Sequence, residues 1–403
     1  MQPEGGPCSL MRRLMSDQNG LALAVLQTGE ASEDGVPRFT SWSGRDRNVN
    51  DRLRSDDVCD ALAHGRLSMD VAHRVEAVVV GAHGLRRRPH RATETPHHWR
   101  NLLGARLIRS RGRRQEIAMA AMDISLNGKT ALVTGANTGI GFVTARELAR
   151  AGARVWMACR SKDKARAAIA RIKQAVPHAN LAFLALDLHE LAAVRRAADE
   201  FLTTGERLHL LINNAGLAGS RGKTADGFEL QFGTNHLAPY LFTRLLLDRV
   251  KESTPSRIVF VSSKGHYRSR GVPWEHLRET TRSRSSLEEY CNSKLCNVLT
   301  AKAFAKRLEG TGVTTYALHP GVVASDIWRK VPQPFRWIAL RFMLTNEEGA
   351  LTTLRCAMSP DVANESGLYY DAQKPKRPSK LAEDAQLAEE LWGRSAAWVG
   401  VGV

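Results

Sequence analysis

The sequence predicts an α/β fold, a doubly wound parallel sheet in a single domain, preceded by an N-terminal extension. Two observations lead to this prediction. From residue 122 onward, short apolar segments alternate with amphipathic helical patterns, as in parallel sheets that are covered by helices on both faces. Before residue 122, no helical or strand periodicity is sustained.

Six apolar segments account for the predicted strands. In chain order they are KTALVT (129–134), RVWMAC (154–159), LAFLALDL (181–188), LHLLINNAG (208–216), SRIVFVSS (256–263) and TTYALHPG (314–321). Helical patterns separate the strands, for example over residues 141–152 and 163–176. In an open sheet of this kind, a ligand is expected at the carboxyl ends of the strands.

The chain divides near residue 122 into residues 1–121, expected to be poorly ordered, and a folded domain over residues 122–403. The first part contains 19 Arg and no Lys. Such a bias is more typical of a biased nucleotide composition in the coding sequence than of selection for a protein surface. An over-extended reading frame is one explanation for the segment. A basic arm for nucleic acid is the functional alternative, but the segment lacks the aromatic interleaving of such arms.

Charge and cysteine content narrow the class of protein. The chain has 58 Lys+Arg and 41 Asp+Glu, a formal charge of +17, but the excess is spread along the chain, so nucleic acid is not the predicted partner. Six cysteines without a CxxC pair give no support for a metal site and suggest a reducing cytoplasm. We expect no transmembrane segment, because the early apolar runs fall short of ~18–20 residues.

A glycine-rich turn joins the first predicted strand to the first predicted helix. It reads TGANTGIG over residues 134–141, with glycines at Gly135, Gly139 and Gly141. Glycines allow a tight turn and a close approach of pyrophosphate to the backbone, and the amides of the helix N-terminus then bind the anion. The turn predicts a dinucleotide site, and a glycine turn without a ligand is the alternative.

The TGxxxGIG spacing and four later motifs resemble the short-chain dehydrogenase/reductase family. In order, the later motifs are Asn213-Asn214-Ala215-Gly216, Ser262-Ser263, the YxxxK pair Tyr290 and Lys294, and Pro320-Gly321. Residues 223–247, 290–323 and 365–370 are similar to the retinol-dehydrogenase-like branch of that family. The resemblance covers residues 125–395 and implies a Rossmann-type oxidoreductase.

Four residues are the predicted catalytic group: Asn235, Ser263, Tyr290 and Lys294. Tyr290 and Lys294 are four residues apart, so a helix places them on one face, and an ammonium there is expected to lower the pKa of the phenol. Tyr290 would then act as general acid/base. The resemblance implies that Ser263 hydrogen-bonds the substrate oxygen, that Lys294 bonds the nicotinamide ribose and that Asn235 holds a relay water.

Each of these residues also has a structural interpretation. Tyr290 could be a half-buried helix aromatic, Lys294 a solvated cation and Ser263 a turn former at a strand end. Ser262 competes with Ser263 for the catalytic role, although the family pattern favours the second serine. Two histidines, His236 and His319, are interpreted as packing or hydrogen-bonding groups and not as metal ligands.

The turn after the second strand bears on the choice of nicotinamide nucleotide. Arg160 follows the strand directly, and no acid occurs after it until Asp163. A guanidinium pairs with the 2′-phosphate of NADP(H), whereas a carboxylate would repel it, so we predict NADP(H). A solvated loop arginine is the alternative. Asp187 resembles the acid that bonds the adenine edge, and a helix cap is its alternative.

The full set of predicted nucleotide contacts follows from these motifs. It comprises Gly135, Asn137, Thr138, Gly139, Ile140, Gly141, Arg160, Asp187, Leu188, Asn214, Ala215, Gly216, Tyr290, Lys294, Pro320, Gly321, Val323 and Ser325. The predicted function is NADP(H)-dependent interconversion of a lipophilic alcohol and its aldehyde or ketone. A catalytically inactive NADP(H)-binding regulator is the alternative. The resemblance to the family also leaves open that the protein forms a homo-oligomer.

Family placement also implies a substrate lid. The stretch at residues 327–344 is rich in tryptophan, phenylalanine and aliphatic side chains, which suggests a lipophilic substrate. Interior packing and a membrane-touching amphipathic segment are the two alternatives.

Overall fold

A computed structural model describes residues 124–321 and 344–402. Their strands form one eight-stranded sheet in the order β3-β2-β1-β4-β5-β6-β7-β8. The strands are β1 (Thr130–Thr134), β2 (Arg154–Cys159), β3 (Asn180–Ala185), β4 (Leu210–Asn213), β5 (Ser256–Val261), β6 (Val313–His319), β7 (Leu368–Asp371) and β8 (Lys374–Pro375).

The predicted fold class is confirmed, since all six predicted strands are present and parallel to their neighbours. Several of them end earlier than the apolar runs suggested, because the motif residues leave the sheet as loops at its carboxyl edge. β7 adds a further parallel strand beside β6. The described sheet departs from a purely parallel arrangement at β8, which returns antiparallel to β7 through a turn with positive φ at Ala372 and Gln373.

Helices cover both faces of the sheet. One face carries α1 (Gly139–Arg150), α2 (Lys162–Ala175) and a helix from Asn346 to Met358, and the other carries α3 (Leu191–Thr203), α4 (Ala238–Glu252), α5 (Leu287–Arg307) and a helix from Ala385 to Val399. We call the helix Asn346–Met358 α6 and the helix Ala385–Val399 α7. A short helical turn (Leu230–Phe232) and a π-helical turn (Gly233–Leu237) lead directly into α4.

Alternation along the strands explains why the sheet is apolar on both sides. On β1, Leu132 packs into the layer of α3, α4, α5 and α7, whereas Ala131 and Val133 pack into the layer of α1, α2 and α6. Successive side chains of a strand point to opposite faces, so a strand buried on both faces is a continuous apolar run. The same alternation on β2 places Trp156 and Met157 in the two different layers.

Side-chain caps mark several helix starts. The Ser161 hydroxyl accepts a hydrogen bond from the Lys164 amide at the start of α2. Asp384 accepts one from the Leu387 amide at the start of α7. Such caps satisfy amides that have no partner within the helix and stabilise the helix by about 1 kcal/mol each.

The sheet sets the position of the motifs predicted from the sequence. β1, β4, β5 and β6 are neighbours, so the glycine turn, the NNAG segment, the serine pair and Pro320-Gly321 follow their carboxyl ends along one edge. The predicted contacts Val323 and Ser325, the stretch 327–343 and the extension 1–121 lie outside the described residues. Among the described helices, none has the length and apolar character needed to cross a bilayer.

Candidate active site

The glycine turn requires its glycines for two different reasons. Gly135 and Gly139 have φ values of +67° and +58°, in the left-handed region that side chains disfavour. Gly141 has no positive φ, but a Cβ there would lie 2.5 Å from the Gly135 carbonyl oxygen. α1 begins at Gly139, and its N-cap Thr138 makes no side-chain capping bond, so the first-turn amides are available to an anion.

The NNAG segment is fastened directly to the glycine turn. The Thr134 hydroxyl oxygen accepts hydrogen bonds from the Asn214 amide at 3.0 Å and the Ala215 amide at 2.9 Å. In return, Asn214 Nδ2 donates to the Thr134 carbonyl oxygen at 2.9 Å. Sequence reasoning missed Thr134, yet its hydroxyl joins the ends of β1 and β4 and places Ala215 and Gly216 beside the turn.

Arg160 and Asp187 lie together at the carboxyl ends of β2 and β3. Arg160 Nη1 is 3.4 Å from His189 Nδ1, and His189 Nδ1 is 3.1 Å from Asp187 Oδ1. The same carboxylate oxygen accepts the His189 amide at 3.0 Å, while the N-cap of α3 is Glu190. The carboxylate of Asp187 therefore faces His189 and does not cap α3. Leu188, the next residue in the chain, is buried.

Lys294 and Asn235 lie beside Gly216, and Lys294 in turn lies beside Tyr290, which contacts Ser263. Ser263 is the second residue after β5. Tyr290 and Lys294 lie on α5, with the Lys294 ammonium 5.6 Å from the Tyr290 ring centroid. The Ser263 hydroxyl hydrogen-bonds the Tyr290 phenol. A Cβ at Gly216 would lie 3.3 Å from both Lys294 Nζ and Asn235 Oδ1. The four predicted catalytic residues are therefore linked by successive contacts, from Asn235 and Lys294 beside Gly216 through Tyr290 to Ser263.

The two adjacent serines have different partners. The Ser262 hydroxyl is buried and donates to the Lys294 carbonyl oxygen on α5 at 2.7 Å. The Ser263 hydroxyl oxygen accepts the Gly265 amide at 3.0 Å and bonds the Tyr290 phenol. Ser262 thus secures α5, and Ser263 is the serine that contacts the Tyr290 phenol.

Burial decides the pKa values in this site. Burial raises the pKa of Tyr290 above its ordinary value, and the Ser263 hydrogen bond opposes that shift. Burial also lowers the pKa of Lys294 to about 8. The pKa of the phenol thus moves opposite to the direction expected from the sequence, because burial is the largest influence on it. The Lys294 ammonium lies 5.6 Å from the centroid of the ring and donates to the Val261 carbonyl oxygen at 2.9 Å.

Asn235 lies within the π-helical turn and joins it to two other segments. Its Oδ1 accepts the Leu217 amide at 2.8 Å, and its Nδ2 donates to the Leu217 carbonyl oxygen at 2.9 Å and to Ser293 Oγ at 3.0 Å. The side chain thus holds the loop after Gly216 against α5. Its role with a relay water stays a prediction. The π-turn gave no sequence signal, although such turns are frequent at functional sites.

The two histidines near the site are both buried. His236 lies between Ser395 and Thr300, with its ring nitrogens 3.1 Å and 3.4 Å from their hydroxyl oxygens, and burial lowers its pKa to about 3. Burial lowers the pKa of His319 to about 4. Within residues 124–321 and 344–402, no group of three or more His, Cys, Asp or Glu side chains could hold a metal ion.

The residues at this edge fit a nicotinamide nucleotide. Because Gly135 and Gly141 have no Cβ, the glycine turn packs closely against Asn214 and Ala215, and a Cβ at Gly216 would crowd the Lys294 ammonium. Lys294 is 4% exposed, and its ammonium has one hydrogen-bond acceptor among the described residues, so two of its N–H groups remain for hydroxyl oxygens. Gly321, with φ +97°, lies two residues after the end of β6, at the same edge.

Comparison with known proteins agrees with this geometry. A family model described as short chain dehydrogenase matches residues 129–275. Human retinol dehydrogenase 12 is 43% identical over 282 residues, which cover 69% of this chain and 89% of that protein. The chain belongs to the short-chain dehydrogenase/reductase family. A second relative of this oxidoreductase, dehydrogenase/reductase SDR family member 13 from Bos taurus, is 44% identical and covers 69% of this chain and 75% of its own length.

Solved structures show the same short-chain dehydrogenase/reductase fold. An uncharacterized protein from Mycobacterium paratuberculosis superposes with a TM-score of 0.57 at 34% identity, covering 70% of this chain and 97% of its own. A candidate NAD(P)-dependent gluconate 5-dehydrogenase from Beutenbergia cavernae, with NADP bound at low occupancy, gives a TM-score of 0.50 at 25% identity and covers 62% and 96%. The predicted retinol-dehydrogenase-like resemblance is confirmed by the named relatives.

Proposed function

We propose that this short-chain dehydrogenase/reductase uses NADP(H) to interconvert a lipophilic alcohol and its aldehyde or ketone. The observation that carries the proposal is the set of contacts that joins Ser263 to Tyr290 and Tyr290 to Lys294, with the Lys294 ammonium beside Gly216 at the sheet edge that bears the glycine turn. A nicotinamide nucleotide supplies the hydride in this chemistry when it is bound, and the protein has to supply position and a proton.

Arg160 is the proposed basis of the preference for NADP(H). Its guanidinium is exposed at the carboxyl end of β2, close to Asp187 and His189. A guanidinium can form two parallel hydrogen bonds with a phosphate, and this favours a nucleotide that carries a 2′-phosphate. The amides at the start of α1 would hold the pyrophosphate, and Lys294 would bond the nicotinamide ribose.

Tyr290 is the proposed proton donor in carbonyl reduction. Its raised pKa keeps the phenol protonated at neutral pH, which suits an acid. Ser263 would donate a hydrogen bond to the carbonyl oxygen as negative charge develops there. The nearby Lys294 ammonium would stabilise the phenolate that remains after proton transfer. Alcohol oxidation follows the same path in reverse, with Tyr290 accepting the proton.

The proposed substrate class rests on the names of the relatives and on the apolar side chains of the stretch at residues 327–344. Retinol dehydrogenases 11 and 12 are named for retinol, a lipophilic alcohol. We propose a small lipophilic alcohol or carbonyl compound as the partner, and no nucleic acid. The cytoplasm is the proposed compartment, in keeping with the four free, buried cysteines among the described residues.

A panel assay tests this function against the regulatory alternative. Oxidation of NADPH is measured with aliphatic, aromatic and retinoid aldehydes, and reduction of NADP+ with the matching alcohols. We expect turnover with at least one lipophilic pair and little turnover with NADH at the same concentration. Tight NADPH binding without turnover in either direction would instead identify a cofactor-binding regulator.

A further inference from the structure

We propose that His266 is a positioning residue that fixes the catalytic serine, Ser263, against the C-terminal part of the chain. This inference rests on the proposed function, in which Ser263 bonds the substrate oxygen. None of the sequence motifs pointed to His266. Its side chain lies just outside the reacting groups, on the short 3₁₀ turn Lys264–Arg268 that follows Ser263.

The hydrogen bonds of His266 determine which of its nitrogens carries the proton. The ring is fully buried, with Nδ1 2.7 Å from the Ser263 carbonyl oxygen. Its Nε2 accepts the Ser379 amide at 3.2 Å. A main-chain amide can only donate, so Nε2 is unprotonated and Nδ1–H donates to Ser263. Burial lowers the pKa of His266 and so favours this neutral form.

Ser263 is therefore held at two points of its residue. Its carbonyl oxygen accepts the His266 ring, and its hydroxyl oxygen accepts the Gly265 amide at 3.0 Å. The hydroxyl also bonds the Tyr290 phenol. A rotation of the Ser263 peptide would move the hydroxyl away from Tyr290, and displacements of about 1 Å in such sites can cost about 100-fold in rate.

Two neighbours of His266 on this turn also contact the C-terminal part of the chain. The Tyr267 phenol donates to the Arg377 carbonyl oxygen at 2.5 Å, and Arg377 pairs with Glu383 at 2.9 Å. Lys264 pairs with Asp371 at 3.2 Å. The turn after Ser263 is thus connected to residues 371–379 by three side chains, those of Lys264, His266 and Tyr267. Among them, His266 is the one that bonds the serine itself.

Three substitutions separate the two hydrogen bonds of the ring. His266→Asn keeps a donor near the position of Nδ1, His266→Gln keeps an acceptor near the position of Nε2, and His266→Phe keeps only the ring. We expect kcat to fall by about tenfold or more in the Gln and Phe variants and by less than about threefold in the Asn variant. The dissociation constant for NADPH should stay within about twofold of the wild type in all three.

Tyr267→Phe is the matched control, because it removes a bond to the same C-terminal segment without touching Ser263. Its kcat should stay near the wild-type value. Equal losses of kcat in the Asn, Gln and Phe variants would overturn the proposal, as would equal losses in Tyr267→Phe and His266→Phe. Retention of wild-type kcat by His266→Phe would overturn it as well.

Hydrogen exchange provides a readout that does not depend on turnover. The Gly265 amide is protected by the Ser263 hydroxyl, so its exchange should be faster in the Gln and Phe variants and near the wild-type rate in the Asn variant. If the wild-type protein reduces no carbonyl compound, the proposed catalytic function fails, and this exchange pattern still tests the role of His266. Unchanged exchange at Gly265 in the Gln and Phe variants would refute that role.

Discussion

The Lys294 ammonium donates a hydrogen bond to the Val261 carbonyl oxygen at 2.9 Å, and both residues are buried. Burial lowers the pKa of this lysine to about 8, so the charged form is disfavoured by its surroundings. Asn297 Nδ2 also donates to the same carbonyl oxygen, at 3.3 Å. A charge in this position costs stability, and the proposed function gives it the task of stabilising the Tyr290 phenolate.

Replacing this lysine should increase stability while it abolishes turnover. The folded-state pKa of Lys294 lies below its ordinary 10.5, so the cost is fully present below pH 8 and declines as the pH rises toward 10.5. We expect Lys294→Met to raise the free energy of unfolding by about 2 kcal/mol at pH 7 and by less at pH 9.5. Urea unfolding at both pH values measures this.

The control for that experiment is Lys173→Met, at an exposed lysine in the last turn of α2. Its free energy of unfolding should differ from the wild type by less than about 0.5 kcal/mol at either pH. A Lys294→Met protein that is less stable than the wild type at pH 7 would contradict the assignment of a strained, buried charge.

The adjacent serines should respond in opposite ways to removal of the hydroxyl. Ser263→Ala removes the group placed against Tyr290, so kcat should fall about 100-fold with little change in unfolding. Ser262→Ala removes the bond to the Lys294 carbonyl oxygen, so stability should fall by about 1 kcal/mol with kcat within a few-fold of the wild type. Steady-state kinetics and urea unfolding of both variants test these two roles. A larger loss of kcat in Ser262→Ala than in Ser263→Ala would reverse the assignment of the catalytic serine.

Arg160→Ala should separate the two nicotinamide nucleotides. Loss of a charge-assisted bond to the 2′-phosphate should weaken NADPH binding by about 10- to 100-fold, whereas NADH has no group there to lose. Dissociation constants for both nucleotides, measured by calorimetry, test this. Arg166→Ala, at an exposed arginine of α2, is the matched control and should change neither value. Equal losses for NADPH and NADH in Arg160→Ala would remove the argument for NADP(H).

Two glycines that lie within helices predict opposite effects of an added methyl group. At Gly141 a Cβ would overlap the Gly135 carbonyl oxygen, so Gly141→Ala should destabilise the protein by about 1–3 kcal/mol and weaken nucleotide binding. At Gly393 nothing lies within 4 Å of the new Cβ, so Gly393→Ala should stabilise α7 by about 0.5–1 kcal/mol. Thermal unfolding with and without NADPH compares the two variants. A Gly141→Ala protein that binds NADPH with wild-type affinity would show that the close approach of Gly141 to the Gly135 carbonyl oxygen does not matter for nucleotide binding.

The strands and the order of the motifs could be predicted because both are local properties of the chain. A strand buried on both faces, such as β1, must be apolar along its whole length, and the glycine turn has its own backbone requirement at Gly135. The antiparallel β8 was missed, since its turn uses Ala372 and Gln373 at positive φ instead of the glycine or asparagine that signals a hairpin.

The remaining parts of the site depend on tertiary contacts that a sequence does not display. His189 is part of the site because it lies beside Arg160 and Asp187. His266 is part of it because its ring contacts Ser263 and Ser379. The raised pKa of Tyr290 likewise depends on burial, which the four-residue spacing to its lysine does not reveal.

Tyr290→Phe tests the central claim most directly. The substitution removes the phenolic hydroxyl and leaves the ring, so NADPH should bind with nearly its wild-type dissociation constant. Single-turnover oxidation of bound NADPH by a lipophilic aldehyde should slow by about 100- to 10,000-fold, the usual contribution of a general acid. A Tyr290→Phe protein that reduces the aldehyde at the wild-type rate would show that this phenol does not transfer the proton.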